Sequence, residues 1–449
     1  MSKVADDDTI APQAIDVAPA AIPSDAATRG SAIVPREYLI AFVLLTSLFA
    51  LWGLANNLTD VLLATFRRVM SMSDFQTSWI QIAFYGSYFC LALPAALFIR
   101  RFTYKAGVLL GLGMFAAGAV LFYPASQTMV YGHFLAALFI LAGGLSILET
   151  AANPYVVVLG PPASGTRRLN LAQSFNPIGS ITGVLVGKLY ILSNLNQATD
   201  VERASMAVAD LARIRQAELA AVMGPYVTMA AVIVLVWLAI AFTPFPRRSD
   251  DDAMPAVTSS FRRLLSQRHY TSGVIAQFFY VGAQIGVWSF TIRYVMVNLG
   301  LDEESAASFY LASIIVFSVS RFACTALMKY VAPRTLLWVM AALAALLSAI
   351  VILGGGLPGA YALVGISACM SLMFPTIYGL AVQGLGEDTK IGGAGLIMAI
   401  LGGAVLTAVQ ARVSDDFGIN VAYVVPLICF LVIAFYGAKG YRPATTIES

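Results

Sequence analysis

A chain of 449 residues that is 59% hydrophobic and 11% charged, with a mean hydropathy of +0.80, cannot be a water-soluble globule, where about a quarter of residues carry charge. Its apolar runs are near 20 residues long, the length of a helix crossing a roughly 30 Å hydrocarbon core and twice what a barrel strand needs. The net charge is only +3, and Lys and Arg fall between the apolar runs without forming a patch, so nucleic acid is not a partner.

In chain order, residues 1–36 come first, rich in Ala, Asp, Pro and Ser and opening with Asp6, Asp7 and Asp8, which a secretory signal tolerates poorly. They read as a disordered cytoplasmic tail. A first half, residues 37–243, then holds six expected spans at about 38–65, 76–99, 106–124, 131–158, 169–193 and 225–243. In span 1, Trp52, Asn56 and Asp60 share one helical face at i, i+4 and i+8, beside Asn57. An aromatic plate, an amide and an acid on one stripe suit a sugar, whose ring has an apolar face and a rim of hydroxyls. The alternative is a polar clamp between helices.

Span 4 carries Glu149, followed by Asn153 and Pro154 and preceded by Gly143 and Gly144, a polar face beside helix-loosening residues near mid-membrane. An acid inside a span costs about 2.5–3.5 kcal/mol on insertion scales and calls for a reason. Desolvation raises the pKa of a buried carboxylic acid, so such a group can carry a proton near neutral pH; a plain hydrogen bond to a neighbouring helix is the other reading. Span 5 offers Asn170, Gln173 and Asn176 ahead of Pro177 and Gly179. Lys188 there, like Arg293 in span 7, lies close enough to an outer end to snorkel.

Residues 244–270 form a polar cytoplasmic linker with Arg247, Arg248, Arg262, Arg263 and Arg268. The second half, 271–438, has spans at about 271–297, 306–329, 335–354, 359–385, 391–411 and 422–438, and a cytoplasmic tail, 439–449, ends the chain. Span 7 aligns Gln277, Tyr280, Gln284 and Trp288 on one face, amides that bind hydroxyls or knit helices together. Arg321, deep in span 8, reads as a partner of helix ends or of the other half during gating, or else as a substrate contact.

Lys and Arg number eighteen in the termini and even-to-odd loops against six in the opposite loops, which places both termini in the cytoplasm of a bacterial-type inner membrane. Arg67 and Arg68 are the untidy pair on the outer side. A weak internal repeat relates the halves: Arg100 and Lys105 match Lys329 and Arg334 in spacing, and Leu159-Gly160 ends span 4 as Leu385-Gly386 ends span 10. Parallel six-span halves are the plan of the major facilitator fold, an all-α membrane protein of twelve helices with pseudo-symmetric halves. Cys90, Cys324, Cys369 and Cys429 are scattered packing residues, and His133 and His269 stand alone, so neither a metal nor a cofactor is expected.

Four segments in order carry a resemblance: Leu51-Trp-Gly-Leu-Ala-Asn-Asn-Leu-Thr-Asp60, Leu148-Glu-Thr-Ala-Ala-Asn-Pro154, Arg168-Leu-Asn-Leu-Ala-Gln-Ser-Phe-Asn176 and Ala276-Gln-Phe-Phe-Tyr-Val-Gly-Ala-Gln284. From about Tyr38 to the last span the chain resembles the fucose permease branch of the major facilitator superfamily. The resemblance implies proton-coupled uptake of L-fucose or a close sugar, with Asp60 and Glu149 as the key carboxylates and sugar contacts from Asn56, Asn57, Gln173 and Asn176. Glucose-type relatives tend to an amide where Glu149 stands. The chain departs from the branch at Met373-Phe374-Pro375, where fucose permeases carry a polar Gln-Tyr pair, and Tyr378, one turn on, is the candidate substitute.

The expected function is a symporter, most simply a monomer in the lipid bilayer, that imports a neutral monosaccharide with a proton by alternating access. The expected sugar site comprises Trp52, Asn56, Asn57, Asp60, Glu149, Asn153, Gln173, Asn176, Gln277, Gln284, Trp288 and Tyr378, with Asp60 and Glu149 coupling the proton. Transport of another hexose such as glucose or galactose is the alternative. A membrane-embedded enzyme would need clustered acids or interfacial histidines, which are missing, and a transport-dead sensor would be exposed by measured flux.

Overall fold

The computed structural model describes residues 33–69, 74–128, 130–191, 196, 200–245 and 257–440. Some side chains within those helices lie outside the description, among them Asp60, Arg67, Arg68 and Lys188. The first set of helices is α1 (Leu39–Val69), α2 (Asp74–Arg101), α3 (Tyr104–Thr128), α4 (Tyr131–Val158), a span in two pieces, α5 (Gly165–Gln173) and α6 (Asn176–Val186), then the short α7 (Asp200–Ser205) and the long α8 (Val208–Phe242). After α9 (Val257–Ser266) come α10 (Arg268–Leu299), α11 (Glu303–Leu327), α12 (Pro333–Gly354), the two-piece α13 (Gly356–Met370) and α14 (Met373–Ala381), α15 (Thr389–Met398) leading into α16 (Gly402–Phe417), and α17 (Ile419–Ala422) leading into α18 (Val424–Phe435).

Among the described residues, eleven stretches are long and apolar enough to cross a membrane. The twelfth expected span corresponds to α5 and α6, which the break at Ser174 and Phe175 divides into pieces too short to count alone. Such breaks are tolerated at membrane depth only where protein or a cavity re-satisfies the freed backbone.

Close backbone contact sets the walls of the bundle. A Cβ on Gly53 of α1 would stand 2.0 Å from the Asn176 carbonyl oxygen, and one on Gly179 of α6 would stand 1.8 Å from that of Ala50. Only glycine lets these helices meet, and their contact carries Trp52, Asn56 and Asn176 to one place. The second set repeats the device where a Cβ on Gly402 would lie 2.0 Å from the Phe278 carbonyl oxygen.

The linker contains a helix that the sequence reading left out. On α9, Leu264 is buried while Phe261 and Leu265 are exposed, and Arg263 donates Nε to Asp388 Oδ2 at 2.8 Å and Nη2 to Asp388 Oδ1 at 2.7 Å. Hydrogen bonding to that carboxylate holds the Arg263 guanidinium above its ordinary pKa. Arg168, fully buried, donates to the carbonyls of Val156, Val157 and Ile33, which caps α4 and ties down the residues before α1. Cys324, Cys369 and Cys429 are buried packing residues, whereas Cys90 faces outward.

Candidate functional site

Between the two sets lies a cavity of about 650 Å³, a volume that suits a small ligand. The first set lines it with Trp52, Asn56 and Asn57 of α1, Ile80, Phe84, Tyr85 and Tyr88 of α2, Glu149 of α4, and Gln173, Asn176, Pro177 and Ser180 around the α5–α6 break. The second set contributes Val281, Gln284, Ile285 and Trp288 of α10, Tyr310, Ile314, Phe317 and Arg321 of α11, Phe374 of α14, and Thr407 of α16.

The break between α5 and α6 explains how two amides reach the cavity. The helix tightens over Ser174 and Phe175, whose N–H groups reach the Asn170 carbonyl at 3.0 Å and the Ala172 carbonyl at 3.3 Å, Pro177 stands in the first turn of α6, and Asn176 donates Nδ2 to the Phe49 carbonyl at 3.2 Å. Gln173 donates Nε2 to Asn153 Oδ1 at 2.9 Å, so Asn153 stands behind the wall, one turn beyond Glu149. On the facing wall Trp288 donates Nε1 to Ser367 Oγ at 3.2 Å, and its ring meets Phe317 edge-on with centroids 5.0 Å apart.

Several polar atoms at or just behind the wall close no well-aligned hydrogen bond with the described protein groups: Trp52 Nε1, Asn56 Oδ1, Asn153 Nδ2 and both carboxyl oxygens of Glu149. Glu149 borders the cavity yet is only 1% exposed. The Tyr88 hydroxyl lies within hydrogen-bonding range of both Trp52 and Glu149, too poorly aligned to satisfy the Glu149 oxygens fully. Each buried polar atom without a partner costs about 1–3 kcal/mol, so this corner is chemically incomplete and suited to ligand hydroxyls and a proton.

Of the residues singled out from sequence, Trp52, Asn56, Asn57, Glu149, Gln173, Asn176, Gln284 and Trp288 line the cavity. Asn153, Gln277 and Tyr378 are fully buried and do not. At α14 it is Phe374 that faces the cavity, while the Tyr378 hydroxyl sits 2.6 Å from where a Cβ on Gly393 would lie and has no partner. Asp60 lies on α1, and its side chain is outside the described residues. Sequence reasoning passed over α2, although Ile80, Phe84 and Tyr88 recur every four residues there and mark an inward face.

The cavity is sealed at the proximal end, where the residues before α1 and after α18 lie. Asn170 Nδ2 donates to Thr376 Oγ1 at 3.1 Å, the Ser174 and Thr325 hydroxyls are 3.4 Å apart, and Arg321 Nη1 donates to the Gln173 carbonyl at 3.0 Å. Phe175 and Phe322 meet edge to face, and Lys390 Nζ lies 5.5 Å from the Tyr104 ring centroid. All of these contacts join the first set to the second.

Comparison with known proteins accounts for this arrangement. The family model described as Major Facilitator Superfamily matches residues 38–408. The chain is 41% identical over 423 residues to a protein of Haemophilus influenzae named L-fucose-proton symporter, covering 91% of this chain and 98% of that protein. It is 35% identical over 410 residues to a Brucella abortus protein named glucose/galactose transporter, covering 91% and 95%. The crystal structure of the Escherichia coli fucose:proton symporter superposes with a TM-score of 0.85 at 40% identity, covering 90% of this chain and 99% of that one. The chain belongs to the Major Facilitator Superfamily.

Proposed function

We propose that the protein is a proton-coupled symporter that imports L-fucose or a closely related neutral sugar by alternating access around the central cavity. The observation that carries this reading is the buried Glu149 carboxyl, with no cation beside it and the Tyr88 hydroxyl as its neighbour, on a wall of amides facing a wall with an apolar patch of Ile314, Phe317 and Phe374. An ionised carboxylate with no cation beside it and little besides the Tyr88 hydroxyl to solvate it is costly in a buried site, whereas a carboxylic acid is tolerated; a proton on Glu149 and a hydroxyl donating to it are linked events. L-Fucose is a 6-deoxy sugar, so its hydroxyls suit Asn56, Gln173 and Asn176 while its methyl group suits Ile314, Phe317 and Phe374. Names of relatives at 41% identity support fucose ahead of the glucose and galactose named for those at 35%.

Asp60 is the main proton site in this reading, and Glu149 is the sugar-linked acid that also titrates. Both termini lie in the cytoplasm, by the excess of Lys and Arg in the proximal loops, and the working unit is a monomer. Moving one charge inward releases about 2.3 kcal/mol per 100 mV, enough for about fiftyfold accumulation of a neutral sugar.

The test is uptake into proteoliposomes. Asp60→Asn keeps sugar exchange and loses accumulation against a gradient; intact accumulation would remove Asp60 from the coupling role, and a wild-type chain that moves no monosaccharide would end the transport reading.

A further inference from the structure

Two prolines that interrupt membrane-crossing helices leave carbonyls without their usual donor, and one guanidinium serves both. In an α-helix the carbonyl of residue i accepts from the N–H of residue i+4. Pro177 has no N–H for Gln173, and Pro375 has none for Ser371. Arg321, 4% exposed on α11, donates Nε to the Ser371 carbonyl and Nη1 to the Gln173 carbonyl, the latter at 3.0 Å. Its guanidinium carbon lies 4.6 Å from the Phe317 ring centroid, one turn back on the same helix. Among the described residues no ion pair involves Arg321. Nor does any side chain among them serve the carbonyls of Cys90, Val120 or Thr150, which Pro94, Pro124 and Pro154 orphan in the same way.

We propose that Arg321 is the positioning residue that holds the proximal gate shut, by supplying the donor that Pro177 withholds from Gln173 across the two halves. The proposal deepens the alternating-access reading and rests on it. The bond to Ser371 stays within the second set and survives any rigid separation of the halves, whereas the bond to Gln173 must break when the cavity opens proximally. Breaking it leaves a carbonyl that its own helix cannot satisfy, so a charge-assisted hydrogen bond favours the proximally closed state.

Gln173 also gives this clasp a route to the ligand. Its carboxamide lines the cavity and donates to Asn153, one turn from Glu149, so occupancy at the polar wall acts on the residue whose carbonyl Arg321 grips. Asn170 with Thr376, and Ser174 with Thr325, lie along the same seam but join neutral groups.

The test reads conformation directly. In a chain with Cys90, the exposed native thiol, replaced by Ser and the cavity-lining Ala404 replaced by Cys, a membrane-impermeant maleimide is applied to right-side-out and to inverted vesicles. Arg321→Met is expected to slow labelling from the distal side and speed it from the proximal side, changing the ratio of the two rates by about tenfold or more. An unchanged ratio overturns the proposal. Pro177→Ala is the second variant, useful also if Arg321→Met does not fold: it returns an N–H to Gln173, and the ratio is expected to move the same way by about threefold. No shift in that variant overturns the proposal as well. Labelling does not depend on flux, so a failure here leaves sugar transport standing, and a chain that moves no sugar still gives a readable ratio.

Discussion

The cavity wall built from α1, α2, α4, α5 and α6 carries the acid and most of the amides, Asn56, Asn57, Glu149, Gln173 and Asn176, whereas the wall from α10, α11 and α14 interleaves Val281, Ile285, Ile314, Phe317 and Phe374 with Gln284, Trp288, Ser289, Tyr310 and Arg321. The first wall also holds the atoms whose hydrogen bonding is incomplete, Trp52 Nε1, Asn56 Oδ1 and the Glu149 carboxyl. In the proposed reading the difference separates two tasks: recognition of hydroxyls and handling of the proton fall mainly to the first half, while the second half offers an apolar patch and, through Arg321, a grip on the gate.

Substitutions on either wall test that division. The largest effect is expected for Glu149→Gln: sugar exchange persists, but the pH dependence of uptake flattens and accumulation driven by a pH gradient falls by about tenfold or more. A wild-type pH profile in uptake assays would take the coupling role away from the polar wall. Trp52→Ala removes the ring proposed to pack under the sugar and should weaken half-saturation by about 10–100-fold at unchanged exchange capacity, measured by titrating uptake against sugar concentration.

Gly179→Ala tests the scaffold beneath that wall. Its methyl group would collide with the Ala50 carbonyl, separate α1 from α6 and lower stability by about 1–3 kcal/mol, read as an earlier unfolding midpoint in detergent. The smallest effect belongs to the apolar wall. Phe374→Tyr places a hydroxyl where the deoxy methyl is held to pack, so it should change fucose affinity by about threefold or less while narrowing the preference for fucose over galactose, measured by competition.

The span pattern was legible because membrane helices announce themselves by length and composition: among the described residues eleven of the expected twelve reappear as long apolar stretches, and the twelfth is the one a proline and four polar residues interrupt. The polar wall was legible for the same reason, since Glu149 and the amides of α1 and α5 are expensive in a span and stand out. The apolar wall was not. Ile314, Phe317 and Phe374 look like any lipid-facing residues in sequence, and only packing shows which of them turn inward. Gln277 and Tyr378 show the converse, polar residues with the right spacing that end up behind the wall. The linker helix α9 escaped notice because ten residues with two arginines carry too little apolar content to stand out beside true spans.

Proton movement on sugar addition tests the central claim most directly. In weakly buffered proteoliposomes holding the wild-type chain, adding L-fucose outside should make the external medium alkaline, with about one proton taken up per sugar molecule. Entry of labelled L-fucose at the same rate with no change in external pH would contradict proton-coupled symport.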